Sequence, residues 1–155
     1  MIVSGLYNVS CQTTIEETLK KHNKETVPYI TVSELQKNFN FTILDTRKKE
    51  EYSVSHLKDA LWVGYKKFDV NKVSKNIENK NMPIVVYCSV GVRSEDIGEK
   101  LLKAGFTNVH NLYGGIFDWK EKGNIVVDTA GIETQKVHVY SKQWGELLTN
   151  AVKVY

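Results

Sequence analysis

Cysteine and proline are scarce: of 155 residues, two are cysteine (Cys11 and Cys88) and two are proline (Pro28 and Pro83). Two cysteines are too few for a disulfide framework, and a bridge between them is not expected. The count suits the cytosol as well as an exported setting. His22, His56, His110 and His138 form no close-spaced cluster with cysteine, which argues against a zinc site. No run of about 18 apolar residues exists, so no helix is expected to span a membrane. Nor is there a dense basic block: the formal charge of +3 comes from lysines spread along the chain. Such a distribution reads as solvated surface rather than a nucleic-acid patch. Repeats and low-complexity tracts are missing too.

What is present is ordinary globular material, 41% hydrophobic and 25% charged. A chain of this length is expected to form one domain, burying roughly two thirds of the surface it exposes when unfolded. The opening "MIVSGLYNVSCQ" has a short apolar run but no basic leader, and the run is shorter than a signal core. A cytosolic setting is therefore favoured. The alternative is a cell-envelope lipoprotein lipidated at Cys11, with which Asn8 fits poorly.

Residues 12 to 28 read as a surface helix with Ile15 and Leu19 at helical spacing, then a linker. Tyr29 to Val32 alternate as a strand, and Ser33 can cap a short helix carrying Leu35 and Phe39. "FTILDTR" is a short buried strand that stops at charged residues, which suggests the carboxyl edge of a parallel sheet. A further strand is expected near Leu61 to Val63, and a loosely packed helix with loops over residues 66–81. "MPIVVYC" is the clearest strand: Pro83 can only precede it, and Ile84, Val85 and Val86 form a β-branched run that belongs mid-sheet. Ile97, Leu101, Leu102 and Ala104 recur at helical spacing behind Ser94 as N-cap, with Gly105 as terminator. "FTNVHNL" is another strand, and "YGGIFDWKEKG" a glycine turn with about one helical turn. The alternation calls for an α/β sandwich with a mostly parallel sheet. After Asp128, "KVHVYSKQWGELLTNAVKVY" is too short to fold alone and is expected to dock as an extra hairpin or edge strand.

The chemistry concentrates in "VVYCSVGVRSEDIG". A strand ending in Cys88, a loop of small residues and a helix starting near Ser94 make an anion cradle, because loop N–H groups and the helix N-terminus face inward. A thiol held there is pushed toward thiolate, below its free pKa of roughly 8.5. Arg93 can close the loop by hydrogen-bonding its carbonyls, or can hold an oxyanion. A lone cysteine at a strand end is usually apolar filler. The glycine, arginine and serine that follow favour the functional reading.

"YCSVGVRS" resembles the active loop of rhodanese-like sulfurtransferases, in which a cysteine opens a six-residue loop before a helix. "ILDTRKKEEYSVSHLKDALWV" is similar to that family's first signature and "LLKAGFTNVHNLYGGIFDWKEKG" to its closing one. The resemblance runs from about Tyr29 to Asp128. It implies a three-layer α/β sandwich, its mostly parallel central sheet flanked by helices, in which Cys88 takes sulfur from a donor such as thiosulfate or a persulfide. The sulfur is then passed to a thiol or cyanide. Ser89, Val90, Gly91, Val92, Arg93 and Ser94 would bind the substrate, with Asp45 and Arg47 in support. No metal or cofactor is implied. Small sulfur donors and acceptors are the expected partners, a protein donor or acceptor being the alternative, and nucleic acid is not expected.

Three parts follow: an extension and linker (1–28), the rhodanese-like domain (29–128), and a C-terminal extension packing on it (129–155). A low-turnover sulfur carrier or interaction module is the second functional reading. Phosphatase chemistry is less favoured, because related phosphatases separate cysteine and arginine by five residues and here four intervene. Ser89 stands where many members carry a basic residue, and Glu95 and Asp96 oppose an incoming anion, so modest turnover with thiosulfate is expected. Ser55 replaces a common glycine, a minor loop change. Asp45 and Arg47 either line the pocket or, as favoured, pair to anchor residues 50–56. His56 reads as structural, and Gly114 and Gly115 as a tight turn near the loop. Trp119 reads as core, and Trp144 as a seal for the C-terminal extension or a shield at the pocket mouth.

Overall fold

The structure, a computed structural model, describes residues 13–38 and 40–155. Cys11 and Phe39, and with them the lipidation reading, lie outside the described residues. Five strands in chain order, β1 (Tyr29–Ile30), β2 (Thr42–Asp45), β3 (Leu61–Trp62), β4 (Ile84–Tyr87) and β5 (Val109–Leu112), form one sheet. Its order is β1-β5-β4-β2-β3, and every neighbouring pair is parallel. The four residues of β4 are fully buried, as a strand covered on both faces requires. Val85 and Tyr87 enter one core with Leu57, Leu112, Ile116 and Phe117, while Ile84 and Val86 enter the other with Val73, Ile97, Leu101 and Phe106. Each such aliphatic side chain stabilises the fold by roughly 1.5–3 kcal/mol.

Helices supply the outer layers. They are α1 (Ile15–His22), α2 (Val32–Lys37), α3 (Lys49–Val54), α4 (Val70–Asn76), α5 (Val92–Lys103), α6 (Gly115–Glu121) and α7 (Lys142–Gly145). Val73 of α4 and Ile97 and Leu101 of α5 cover one face of the sheet; Leu35 of α2 and Ile116 and Phe117 of α6 cover the other. The chain is thus an α/β sandwich around a wholly parallel sheet.

Several local expectations are corrected. Val32 begins α2 instead of extending β1, because Thr31 and Glu34 close a reciprocal capping box; Ser33 is not the cap. The helix after Cys88 starts at Val92, ahead of Ser94, with Gly91 as its N-cap. α6 runs seven residues, about two turns. From residue 136 on, the C-terminal segment is neither a hairpin nor an edge strand of the main sheet. Strand β8 (Lys136–His138) pairs in parallel with β9 (Val152–Val154), and a parallel pair needs a crossover, which the stretch carrying α7 provides. Before it, β6 (Val126–Val127) and β7 (Glu133–Thr134) form an antiparallel pair. Val137, Val139 and Leu148 are fully buried in the same core as Val85. Glu121 accepts hydrogen bonds from the N–H groups of Thr149 and Asn150.

The sheet's carboxyl edge is fixed by a buried polar network. Asp45 and Arg47, both without solvent exposure, form a 2.6 Å ion pair. Arg47 also donates to the Ser55 carbonyl at 2.6 Å. Tyr87 donates its hydroxyl to Asp45 and accepts the Leu57 N–H. Burial alone would lower the Arg47 pKa, but the Asp45 carboxylate outweighs it and raises the guanidinium above its ordinary value. Tyr87 is raised by burial and then by Asp45. The network joins the end of β2, the segment after α3 and the residue preceding Cys88. Removing one partner of such a pair strands a buried charge. Asp45→Ala is therefore expected to lose about 3–5 kcal/mol in urea denaturation, with an unchanged slope.

Candidate active site

β4 delivers the chain to Cys88 at the carboxyl edge, and the loop turns into α5 through Gly91, whose φ is +116°. Only glycine adopts that backbone without strain. The turn aims the Gly91 N–H at the Cys88 sulfur, 3.2 Å away. Cys88 is 2% exposed. The loop carbonyls are tied outward: those of Cys88 and Ser89 accept the N–H groups of Ile116 and Phe117 at 3.0 and 3.1 Å. The Gly91 carbonyl accepts from Asn111 at 2.8 Å and Asn23 at 2.9 Å. A Cβ on Gly115 would stand 2.6 Å from the Ser89 oxygen, so α6 can brace the loop only with glycine there.

Arg93 therefore does not bond the loop carbonyls. Its guanidinium meets Glu51 of α3 with two bonds of 2.7 and 2.8 Å and the Ser89 hydroxyl at 3.0 Å. Glu51, with no exposed side-chain surface, also accepts the Lys48 N–H at the start of α3. Burial alone would raise its pKa, yet Arg93 holds it below the usual carboxylate range. The Cys88 thiol shows the same contest. Burial would push it up, but the charge of Arg93, the Ser94 hydroxyl and the N–H groups of Ser94 and Gly91 bring it below its ordinary value. The Ser94 hydroxyl lies 3.5 Å from the sulfur and 2.7 Å from the Asn111 side-chain oxygen.

A cavity of about 280 Å³ opens over the sulfur, lined by Ser89, Val90, Val92 and Arg93 of the loop and by Tyr65, Tyr140 and Trp144. Trp144 also packs on the core, so it serves both of the roles considered for it. Asp45 and Arg47 do not line this cavity; their network lies behind it, gripping Ser55. Glu95 faces away, accepting the Lys24 and Thr26 N–H groups, while Asp96 accepts the Tyr65 hydroxyl. His56 stacks on Tyr52 at 3.8 Å. Trp119 is half-buried against the core and donates to the Ile125 carbonyl. No group of acidic, histidine or cysteine residues among the described residues could hold a metal ion. Nor is any helix among them long and apolar enough to cross a membrane.

Glu51, Asn111 and Tyr140 escaped the sequence reading. Glu51 looks like a helix-start carboxylate, and nothing local says that it reaches residue 93. Asn111 is a polar residue on the fully buried side of β5, between His110 and Leu112, and that placement is not distinguished in the sequence from the neighbouring His110.

The model of the rhodanese-like domain family matches residues 31–122. The chain belongs to that family. The thiosulfate sulfurtransferase GlpE of Coxiella burnetii is 30% identical over 94 residues, covering 61% of this chain and 85% of that protein. The tRNA uridine(34) hydroxylase of Photorhabdus laumondii is 29% identical over 127 residues, covering 78% of this chain and 35% of that protein. A solved thiosulfate sulfurtransferase from Pseudomonas aeruginosa superposes with a TM-score of 0.61 at 23% identity, over 68% of this chain and 21% of that one. That superposition shows the shared fold.

Two measurements test this electrostatic arrangement. Iodoacetamide alkylation of Cys88 is expected to reach half its plateau rate at a pH below the roughly 8.5 of free cysteine, and Arg93→Gln is expected to move that pH upward. Glu51 contributes stability that is complete above its ordinary value of 4.5 and is lost as pH falls through its lower folded pKa. The stability gap between wild type and Glu51→Gln, read by urea denaturation, should therefore narrow on going from pH 6 to pH 3.

Proposed function

We propose that the chain is a sulfurtransferase that carries sulfane sulfur on Cys88. The observation that carries this reading is the buried Cys88 sulfur receiving an N–H at 3.2 Å beneath an open cavity. In the proposed cycle the Cys88 thiolate attacks the outer sulfur of thiosulfate, and the bond from that sulfur to the sulfonate breaks. Sulfite leaves with the electron pair, and Cys88 keeps the sulfur as a persulfide. A thiolate or cyanide then takes the outer sulfur and returns the thiolate. The persulfide sulfur stands about 2.05 Å beyond Sγ, in the direction of the cavity. Gly91 and Ser94 supply hydrogen bonds that favour the ionised sulfur. The named activity of the Coxiella relative supports the same reading.

A second reading has its own support. Arg93 is already neutralised by Glu51, so capture of a free dianion is weak, as suits a carrier loaded by a protein donor. Phosphatase chemistry finds less support: four residues separate Cys88 from Arg93, and the guanidinium is engaged elsewhere.

Intact-mass spectrometry after brief thiosulfate exposure tests the reading. Wild type and Cys11→Ser are expected to gain one sulfur atom that cyanide removes, and Cys88→Ser none. Loading only from a persulfidated protein would select the carrier reading. No loading from any sulfane donor would overturn both.

A further inference from the structure

The cavity wall opposite the loop comes from beyond the region the family model matches. Tyr140 and Trp144 belong to the C-terminal segment, whereas the match ends at residue 122. The segment is held rigidly: Val137, Val139 and Leu148 are fully buried, and Glu121 receives the N–H groups of Thr149 and Asn150. Tyr140 adopts φ +64°, a left-handed backbone rarely used by a bulky residue. Its ring lies 5.4 Å from the Arg93 guanidinium and 4.8 Å from the Lys48 ammonium, and Lys48 does not line the cavity.

The charge around the sulfur is unfavourable to a dianion. A Cys88 thiolate, Arg93 and Glu51 leave one net negative charge, and Arg93 is the one cation among the lining residues. Val90, Val92, Tyr65, Tyr140 and Trp144 offer apolar and aromatic surface instead. A cavity of about 280 Å³ exceeds the roughly 150 Å³ that admits benzene.

We propose that the Tyr140–Trp144 wall makes this site selective for organic sulfane-sulfur donors, in which the group that leaves the transferable sulfur carries an apolar substituent, over inorganic thiosulfate. This rests on Cys88 being the sulfur acceptor. The donor's apolar group packs against the two rings, leaving the sulfane sulfur facing Cys88. For an arylthiosulfonate, Cys88 thiolate attacks the terminal sulfur, the bond between that sulfur and the sulfonyl sulfur breaks, and the arylsulfinate leaves with the electron pair. Charge and atoms balance with Cys88 as the persulfide anion.

Single-turnover loading of Cys88, followed by intact mass, tests this with thiosulfate, methanethiosulfonate and benzenethiosulfonate anions. The first pair differs in charge and the second in the aromatic group. Wild type is expected to load fastest from benzenethiosulfonate and slowest from thiosulfate. Tyr140→Gly, which suits the left-handed backbone, and Trp144→Ala are each expected to lower the benzenethiosulfonate to methanethiosulfonate rate ratio by about tenfold. The change in that ratio cancels the intrinsic reactivity of the donors. An unchanged ratio in a folded Tyr140→Gly protein, or faster loading from thiosulfate than from benzenethiosulfonate, overturns the inference while leaving the Cys88 sulfurtransferase intact. No loading from any of the three overturns this inference, and failure of a persulfidated protein to load Cys88 as well overturns the Cys88 reading with it.

Discussion

Arg93 keeps about a fifth of its side chain exposed, and the carboxylate that answers it, Glu51, keeps none. A charge so far from water persists only with a partner close by and its remaining hydrogen bonds satisfied. Glu51 meets both conditions, with two bonds to Arg93, one from Lys48 and a contact to the Ser89 hydroxyl. The pair therefore joins the start of α3 to the start of α5 across the mouth of the loop. It also sets how much positive charge is left for the sulfur. Arg93 still draws the Cys88 thiol toward its ionised form, but with its bidentate face occupied it is a poor receptor for a second anion.

Loop closure is separate from this pair. The carbonyls of Cys88 and Ser89 are taken by the first N–H groups of α6, and that of Gly91 by Asn111 and Asn23. With its carbonyls satisfied outward, the loop presents N–H groups to the sulfur. The backbone thus provides the cradle and the side chains tune its charge, so a change at Glu51 alters electrostatics without unmaking the loop. Behind both, the Asp45–Arg47–Tyr87 network fixes the height of the strand end on which Cys88 stands.

Legibility in the sequence followed the range of the forces involved. The β-branched run at Ile84 to Val86 declares a doubly buried strand because burial on both faces demands it. The loop motif could be read because its chemistry is contiguous. Helix starts were read less well: hydroxyls at Ser33 and Ser94 looked like caps, but Thr31 has a glutamate three residues on, and Gly91 has the backbone freedom the turn needs. Glu51 was invisible as a site residue, since its partner lies 42 positions away. The same limit hid the parallel pairing of β8 with β9, which a local pattern cannot distinguish from a hairpin.

The cavity over Cys88 is closed by residues from separate parts of the chain. The relatives include a thiosulfate sulfurtransferase and a tRNA uridine hydroxylase, so the family domain alone does not dictate one activity. In this chain the part that completes the cavity arrives from the C-terminal segment, carried on its own small sheet and locked into the main core by Val137, Val139 and Leu148. A wall built this way can vary without disturbing the strand, the loop or the glycine turn that brace Cys88. The Cys88 loop is constrained by backbone geometry that tolerates almost no substitution at Gly91 or Gly115, whereas Tyr140 and Trp144 reach the cavity through their side chains alone.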